Sequence, residues 1–218
     1  QAQSAVKDLF TDTGFAARLQ AEQVTLSAAN SINIGRLIPQ VVYYFSAYLQ
    51  LVESGAIELG QKVNFTVPTG NFGDVLAGFY AKLMGLPIHQ LIAAANANHE
   101  LADFLETGIY DRNRPFLKTV APSMDIQISS NLERLLYYKS GEDSSYVAKL
   151  MEELATTGRY QVRPDVLAAI QADFAGGFAA DAQIAASIAA VWKQNGYLLD
   201  PHTAVGYHVI CLLYTSDA

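Results

Sequence analysis

Between Val63 and Asn96 the chain reads as strand, glycine loop, helix and strand, and this stretch limits the fold more than any other. Val63, Phe65 and Val67 alternate with polar residues as a half-buried strand does. Pro68-Thr69-Gly70 breaks that pattern, a helical spacing follows up to Gly85, and "LIAAAN" supplies a second apolar strand. Strands joined across a helix run parallel, and a parallel sheet needs both faces covered. The expected fold class is α/β, a parallel sheet with flanking helices.

The rest of the chain is mostly helical in pattern. From Asn30 to Val52, apolar residues such as Ile34, Leu37, Ile38, Val41, Val42, Phe45 and Tyr48 recur at three/four spacing, which predicts one long buried helix. Pro39 lies inside it and would cost about 3 kcal/mol in a straight helix, so a kink is expected there. "HELADFLETG" ends at Gly108, and "SNLERLLYY" carries a Ser130-x-x-Glu133 capping box. "SSYVAKLMEELATTG", "RPDVLAAIQADF" and "DAQIAASIAAVWKQNG" repeat the helical pattern. Asp200 and Pro201 stand as N-cap and first residue of a last helix, "HTAVGYHVI". No repeat or linker divides the chain, so residues 1–209 read as most of one domain. "CLLYTSDA" reads as neither strand nor domain end, which marks 210–218 as a tail of non-native or read-through origin. The opening "QAQSAVKDLF" lacks an initiator Met and has amphipathic spacing, so the chain is expected to begin inside a longer protein.

Composition removes several function classes. Of 218 residues 51% are hydrophobic and 16% charged, which suits a packed core. A net charge of -7, with 14 scattered basic residues, argues against nucleic acid, whose phosphates need clustered Lys and Arg. Cys211 is the single cysteine and cannot pair internally, which points to a reducing, cytoplasmic setting. No apolar run has the length of a membrane span. His89, His99 and His208 lack metal-ligand spacing, so no metal is expected.

In "VPTGNFGDVLAGFYAKLMG", backbone amides turned toward a helix mouth can hold a phosphate, and the helix dipole adds to their pull. Gly70 and Gly73 permit the turn and a close approach, and Asn71 can add a side-chain donor. Asp74 is awkward beside an anion unless its carboxylate points away. The order strand, loop, helix puts the loop at the carboxyl edge of the sheet, where α/β folds bind ligands. A tight βα turn with no ligand fits the same residues. Neither a dinucleotide fingerprint nor a P-loop is present.

Four blocks extend the argument: "NSINIGRL" (30–37), "VPTGNFGDVLAGFYAKLMGLPI" (67–88), "APSMDIQISSNLERLLYY" (121–138) and "LDPHTAVG" (199–206). In order and spacing they resemble successive blocks of threonine synthase, in its longer fungal and bacterial form. That resemblance implies a member of the tryptophan-synthase-β-like, fold-type-II enzymes that use pyridoxal 5'-phosphate (PLP). It implies an enzyme, a lyase of threonine biosynthesis converting O-phospho-L-homoserine and water to L-threonine and phosphate. It also makes Gly70, Asn71, Phe72, Gly73 and Asp74 the cradle of the PLP phosphate. By analogy Asn30, Ser31, Asn33 and Arg36 grip the substrate's phosphate or carboxylate; a capped helix start with a surface Arg is the plainer reading. Ser123, Asp125, Ser129 and Asn131 read as caps and turn formers, and His202 and Thr203 as helix-start packing.

Catalysis in this family needs a Schiff-base lysine in a Phe-Lys-Asp segment upstream of these blocks, together with a hydroxyl downstream that meets the pyridine nitrogen. Lys7-Asp8 imitates the dipeptide, but the resemblance puts Lys7 on a later surface helix. No catalytic residue is therefore assigned, and the 218-residue chain is expected to be inactive alone. Two alternatives remain open. One is another fold-type-II PLP lyase, such as a serine/threonine dehydratase, and the other is a non-catalytic threonine-synthase-like protein that binds a phosphorylated ligand.

Overall fold

The computed structural model describes residues 9–27 and 30–215. Lys7 and the last three residues of the expected tail lie outside the described residues. Three strands, β1 (Val63–Pro68), β2 (Ile88–Ala95) and β5 (Phe174–Phe178), form a parallel sheet in the order β1-β2-β5. Phe65 pairs with Leu91 and Val67 with Ala93, while Leu91 pairs with Phe174 on the other side. A short antiparallel pair, β3 (Ile109–Asp111) and β4 (Arg159–Gln161), stands apart.

Helices cover both faces. Leu91 and Ala93 point into a core shared with α3 (Val41–Glu53), α4 (Gly73–Leu83), α5 (Glu100–Thr107), α6 (Leu132–Lys139), α7 (Ser144–Thr157) and α8 (Pro164–Gln171). Their neighbours Ile92 and Ala94 point the other way, toward α9 (Asp181–Asn195) and α10 (Pro201–Thr215). Successive β residues face opposite sides, so β2 must be apolar at nearly every position. That is why residues 91–95 read as an unbroken apolar run.

The expected long buried helix is corrected. Residues 34–53 form three pieces: α2 (Ile34–Leu37), a 3₁₀ turn (Ile38–Gln40) holding Pro39, and α3. Only one side is buried, through Leu37, Val41, Tyr44 and Tyr48, whereas Ile38 is 52% and Val42 63% exposed. Before them, α1 (Thr13–Ala21) buries no residue. The predicted capping box is also absent. Asn131 is the N-cap of α6 without a side-chain cap bond, because the Ser130 hydroxyl donates to Asn71 Oδ1 at 3.2 Å. The Asp200 cap forms as read, its Oδ1 accepting from the amide of His202 at 2.9 Å. α10 then continues through Cys211 to Thr215, past the point where the sequence pattern stops.

Strand β5 gives no sequence signal because it is "FAGGF". Packing dictates the glycines. A Cβ on Gly176 would lie 2.9 Å from Ala102 Cα in α5, and one on Gly177 would lie 2.6 Å from Val209 Cγ1 in α10. Helices press on this strand from both sides so closely that side chains do not fit.

Candidate functional site: a helix-mouth cleft at the sheet edge

β1 ends at Pro68 and the chain turns over the carboxyl edge of the sheet, with the Thr69 amide still donating to Ala94 O at 2.8 Å. Residues 70–72 then lead into α4. Phe72 is its N-cap, in the left-handed region at φ 64°, and no side chain caps the first turn. Among the described residues, the amides of 71–75 have no hydrogen-bond acceptor. α4 is 11 residues long, so its dipole adds to the pull of these amides on an anion.

The left-handed residue of the turn is Phe72, and neither Gly70 nor Gly73 has a positive φ. Gly70 serves close approach instead. A Cβ there would meet Ser123 O and Ile126 Cδ1, each at 3.1 Å. The Phe72 ring is 1% exposed and packs on Phe174 with centroids 5.6 Å apart, which holds the strained backbone in place.

Asp74 does point away from the loop amides. Its Oδ1 accepts from the Tyr44 hydroxyl at 3.3 Å, and its backbone carbonyl accepts from the same hydroxyl at 2.8 Å. Loss of solvent around the carboxyl raises its pKa above the ordinary value and the Tyr44 bond pulls it partly back.

A cleft of about 150 Å³ opens here, floored by residues 68–75 and walled by Ser31, Arg36, Leu37 and Gln40. It is smaller than the ~300 Å³ that a whole small-molecule site usually spans, and it suits one anionic group of a ligand. Two of the four predicted substrate residues, Ser31 and Arg36, line it. The other two hold the backbone: Asn30 Oδ1 accepts from the Ile32 amide at 3.1 Å, and Asn33 caps α2 by accepting from Gly35 at 2.8 Å.

The two walls are joined by Asn131, which is fully buried. Its Nδ2 donates to Ser31 O at 2.9 Å and to Asn71 O at 2.9 Å, and its amide donates to Asn71 O at 3.1 Å. Arg134 donates to Asn131 Oδ1, and to Ile32 O at 2.7 Å. Ser129 Oγ donates to Gly70 O at 2.6 Å, while its amide donates to the Tyr110 hydroxyl at 3.0 Å. Read from sequence as turn formers, Ser129 anchors the loop at Gly70 and Asn131 ties the loop to the 30–37 block.

The remaining polar candidates stand behind the cleft. Asp125 Oδ1 accepts from Asn96 Nδ2 at 2.7 Å and Thr119 Oγ1 at 2.8 Å, and its Oδ2 accepts from the Thr119 amide at 3.1 Å. His202 Nδ1 lies 3.0 Å from Asp200 Oδ1, and its Nε2 accepts from the Ser123 amide at 3.2 Å. That pair of bonds fits a neutral imidazole with its proton on Nδ1. Thr203 and then His202 hold the Asp200 carboxyl below its usual range, with burial a partial offset. Ser123 is thus pinned where its carbonyl abuts Gly70. Gln40 received no role from the sequence. Its signal is a polar residue next to the Pro39 break in an otherwise apolar pattern.

A parallel sheet with covered faces, and a loop-opened helix at its carboxyl edge, define an α/β protein carrying a cradle suited to an anion. No family model matches the chain. The chain is 45% identical over 205 residues to human threonine synthase-like 1, covering 93% of this chain and 28% of that protein. To threonine synthase of Saccharomyces cerevisiae it is 38% identical over 217 residues, covering 94% of this chain and 41% of the enzyme. The crystal structure of PLP-bound threonine synthase from Brucella melitensis superposes with a TM-score of 0.87 at 46% identity, over 96% of this chain and 43% of that one. Over its matched length the chain is similar in sequence and fold to threonine synthases and to threonine synthase-like proteins. It spans less than half the length of each of these relatives.

Proposed function

We propose that the whole protein is a threonine synthase, converting O-phospho-L-homoserine and water to L-threonine and phosphate, and that this segment supplies the cofactor's phosphate site. The observation that carries the reading is the uncapped mouth of α4 facing Ser31 and Arg36 across one cleft. The residues present fit a phosphate. Gly70, Asn71, Phe72, Gly73 and Asp74 would hold that of PLP through backbone amides, with the Asp74 carboxylate kept aside by Tyr44.

When bound, PLP supplies an electron sink for electrons released at the substrate's α-carbon. This segment's contribution is placement. Asn131 fixes the loop at Asn71 and the substrate block at Ser31, so the two anion-holding walls keep one spacing. Arg36 offers a guanidinium that can fork onto a phosphate or carboxylate of the substrate, and Ser31, Asn30 and Asn33 complete that block. No lysine lines the cleft among the described residues, so proton transfer at the substrate carbons is assigned to residues outside this segment.

The test measures threonine formation from O-phospho-L-homoserine with added PLP. The whole protein is expected to turn over and the 218-residue chain to bind PLP without turnover. Turnover by the chain alone would overturn the division of labour, and absence of PLP binding would overturn the cradle. A second reading, a threonine-synthase-like protein that binds a phosphorylated ligand without catalysis, is favoured by the 45% identity to human threonine synthase-like 1. Inactive whole protein that still binds PLP would select it. Cytoplasmic location, one domain portion over 1–209 and a tail of separate origin at 210–218 belong to the same proposal; the parent gene sequence decides the last.

A further inference from the structure

Gln40 sits at the turn between α2 and α3, on the wall of the cleft opposite the mouth of α4. Its Oε1 is buried and has no hydrogen-bond partner. That atom lies 3.9 Å from where a Cβ on Gly73 would stand, so it looks across the very space a loop-bound anion would enter. A buried acceptor left unmade costs about 1–3 kcal/mol, so one that lines a cleft calls for a physical explanation. Oxygen and nitrogen of a carboxamide exchange places by a half turn about one bond, which converts an orphaned acceptor into a donor.

We infer that Gln40 is a direct ligand contact: with the ligand bound, its amide turns Nε2 inward and donates a hydrogen bond to the phosphate held by the α4 mouth. The inference rests on the phosphate-cradle reading and adds to it a neutral side-chain donor on the wall facing the loop. A neutral donor is the right kind of group here. It can stand without a phosphate and needs no counter-charge, whereas a lysine at the same place would bury an unpaired cation. The bond formed is charge-assisted, and its loss should weaken binding about ten-fold or more.

The experiment titrates the full chain with PLP, and separately with inorganic phosphate, for wild type, Gln40→Met and Gln40→Glu, alongside unliganded thermal melts. Met keeps the length and removes the polar atoms; Glu keeps the shape and places a carboxylate against the anion. Expected are affinities about ten-fold weaker for Gln40→Met and weaker still for Gln40→Glu, with the Gln40→Met melting temperature equal to or above that of wild type. A purely structural glutamine would give the opposite pattern in the melts, a lower melting temperature with unchanged affinity. Wild-type binding together with Gln40→Met and Gln40→Glu affinities within two-fold of it overturns the Gln40 assignment alone. Wild type that binds neither probe overturns the cradle reading and this inference with it.

Discussion

Phe72 occupies backbone space that a side chain with a Cβ resists, at φ 64°, and it does so at the uncapped mouth of α4. A left-handed residue costs on the order of 1–2 kcal/mol when it is not glycine. Burial of the ring against Phe174 repays that cost. The two effects separate by mutation. Phe72→Ala loses the ring and keeps the strain, and its expected destabilisation is about 3–5 kcal/mol. Phe72→Gly loses the ring and relieves the strain, so it should be more stable than Phe72→Ala by about 1 kcal/mol, a reversal of the usual ranking in helices and strands. Urea unfolding of the pair decides it; the ordinary order, alanine above glycine, would show that the turn is not strained. Nothing in "GNFGD" announces this, since the eye assigns the unusual dihedral to a glycine. That a loop leads into a helix mouth here was legible from residue order alone, but which residue bears the strain depends on the ring's partner about a hundred residues later.

Among elements, α4, α6 and the start of β5 are tied by one carboxylate at the end of the sheet remote from the cleft. Asp173 lies 2.6 Å from Lys82 Nζ and also pairs with Lys139, whose ammonium stands 4.9 Å from the centroid of Phe79. Burial raises the Asp173 carboxyl pKa, and the two lysines together outweigh it, so the net direction is down. A depressed folded pKa contributes stability above the unfolded value and loses it as pH falls through the folded one. Asp173→Asn should therefore melt lower than wild type at pH 7, with the gap closing as pH drops below the ordinary carboxylate range. A gap independent of pH would assign the loss to packing. Elements differ in how far the sequence reveals them. β1, α4 and β2 follow from alternation and helical spacing within one short stretch. β5 does not, since Gly176 and Gly177 carry no strand preference and are required by helices on both sides. Ser130 misleads for a related reason: a long-range acceptor, Asn71 Oδ1, outbids the local cap.

At the scale of the whole molecule, apolar surface is left uncovered beside the site. Val42, Leu83 and Met84 are 63%, 58% and 69% exposed and border a groove of about 550 Å³. A contiguous apolar surface of this kind promotes self-association in water. The isolated chain is expected to bind a hydrophobic dye and to sediment as more than a monomer, and the double variant Val42→Lys, Met84→Glu to reduce both without lowering the melting temperature. An unchanged sedimentation profile would place the association elsewhere. Among the described residues no helix is long and apolar enough to cross a membrane.

Asn131 has a consequence in time as well as in space. It lies 100 residues after Ser31 and 60 after Asn71, so the clamp that joins them does not exist until both have long left the ribosome. At synthesis rates of roughly 5–20 residues per second, the 30–37 block waits about 5–20 s for its latch. During that interval β1, the loop and α4 can already form from local contacts, and an anion at the helix mouth would find a cradle with one wall. The cleft is therefore closed from the carboxyl side, only after residues 129–134 have been made, with Asn131 bridging both walls.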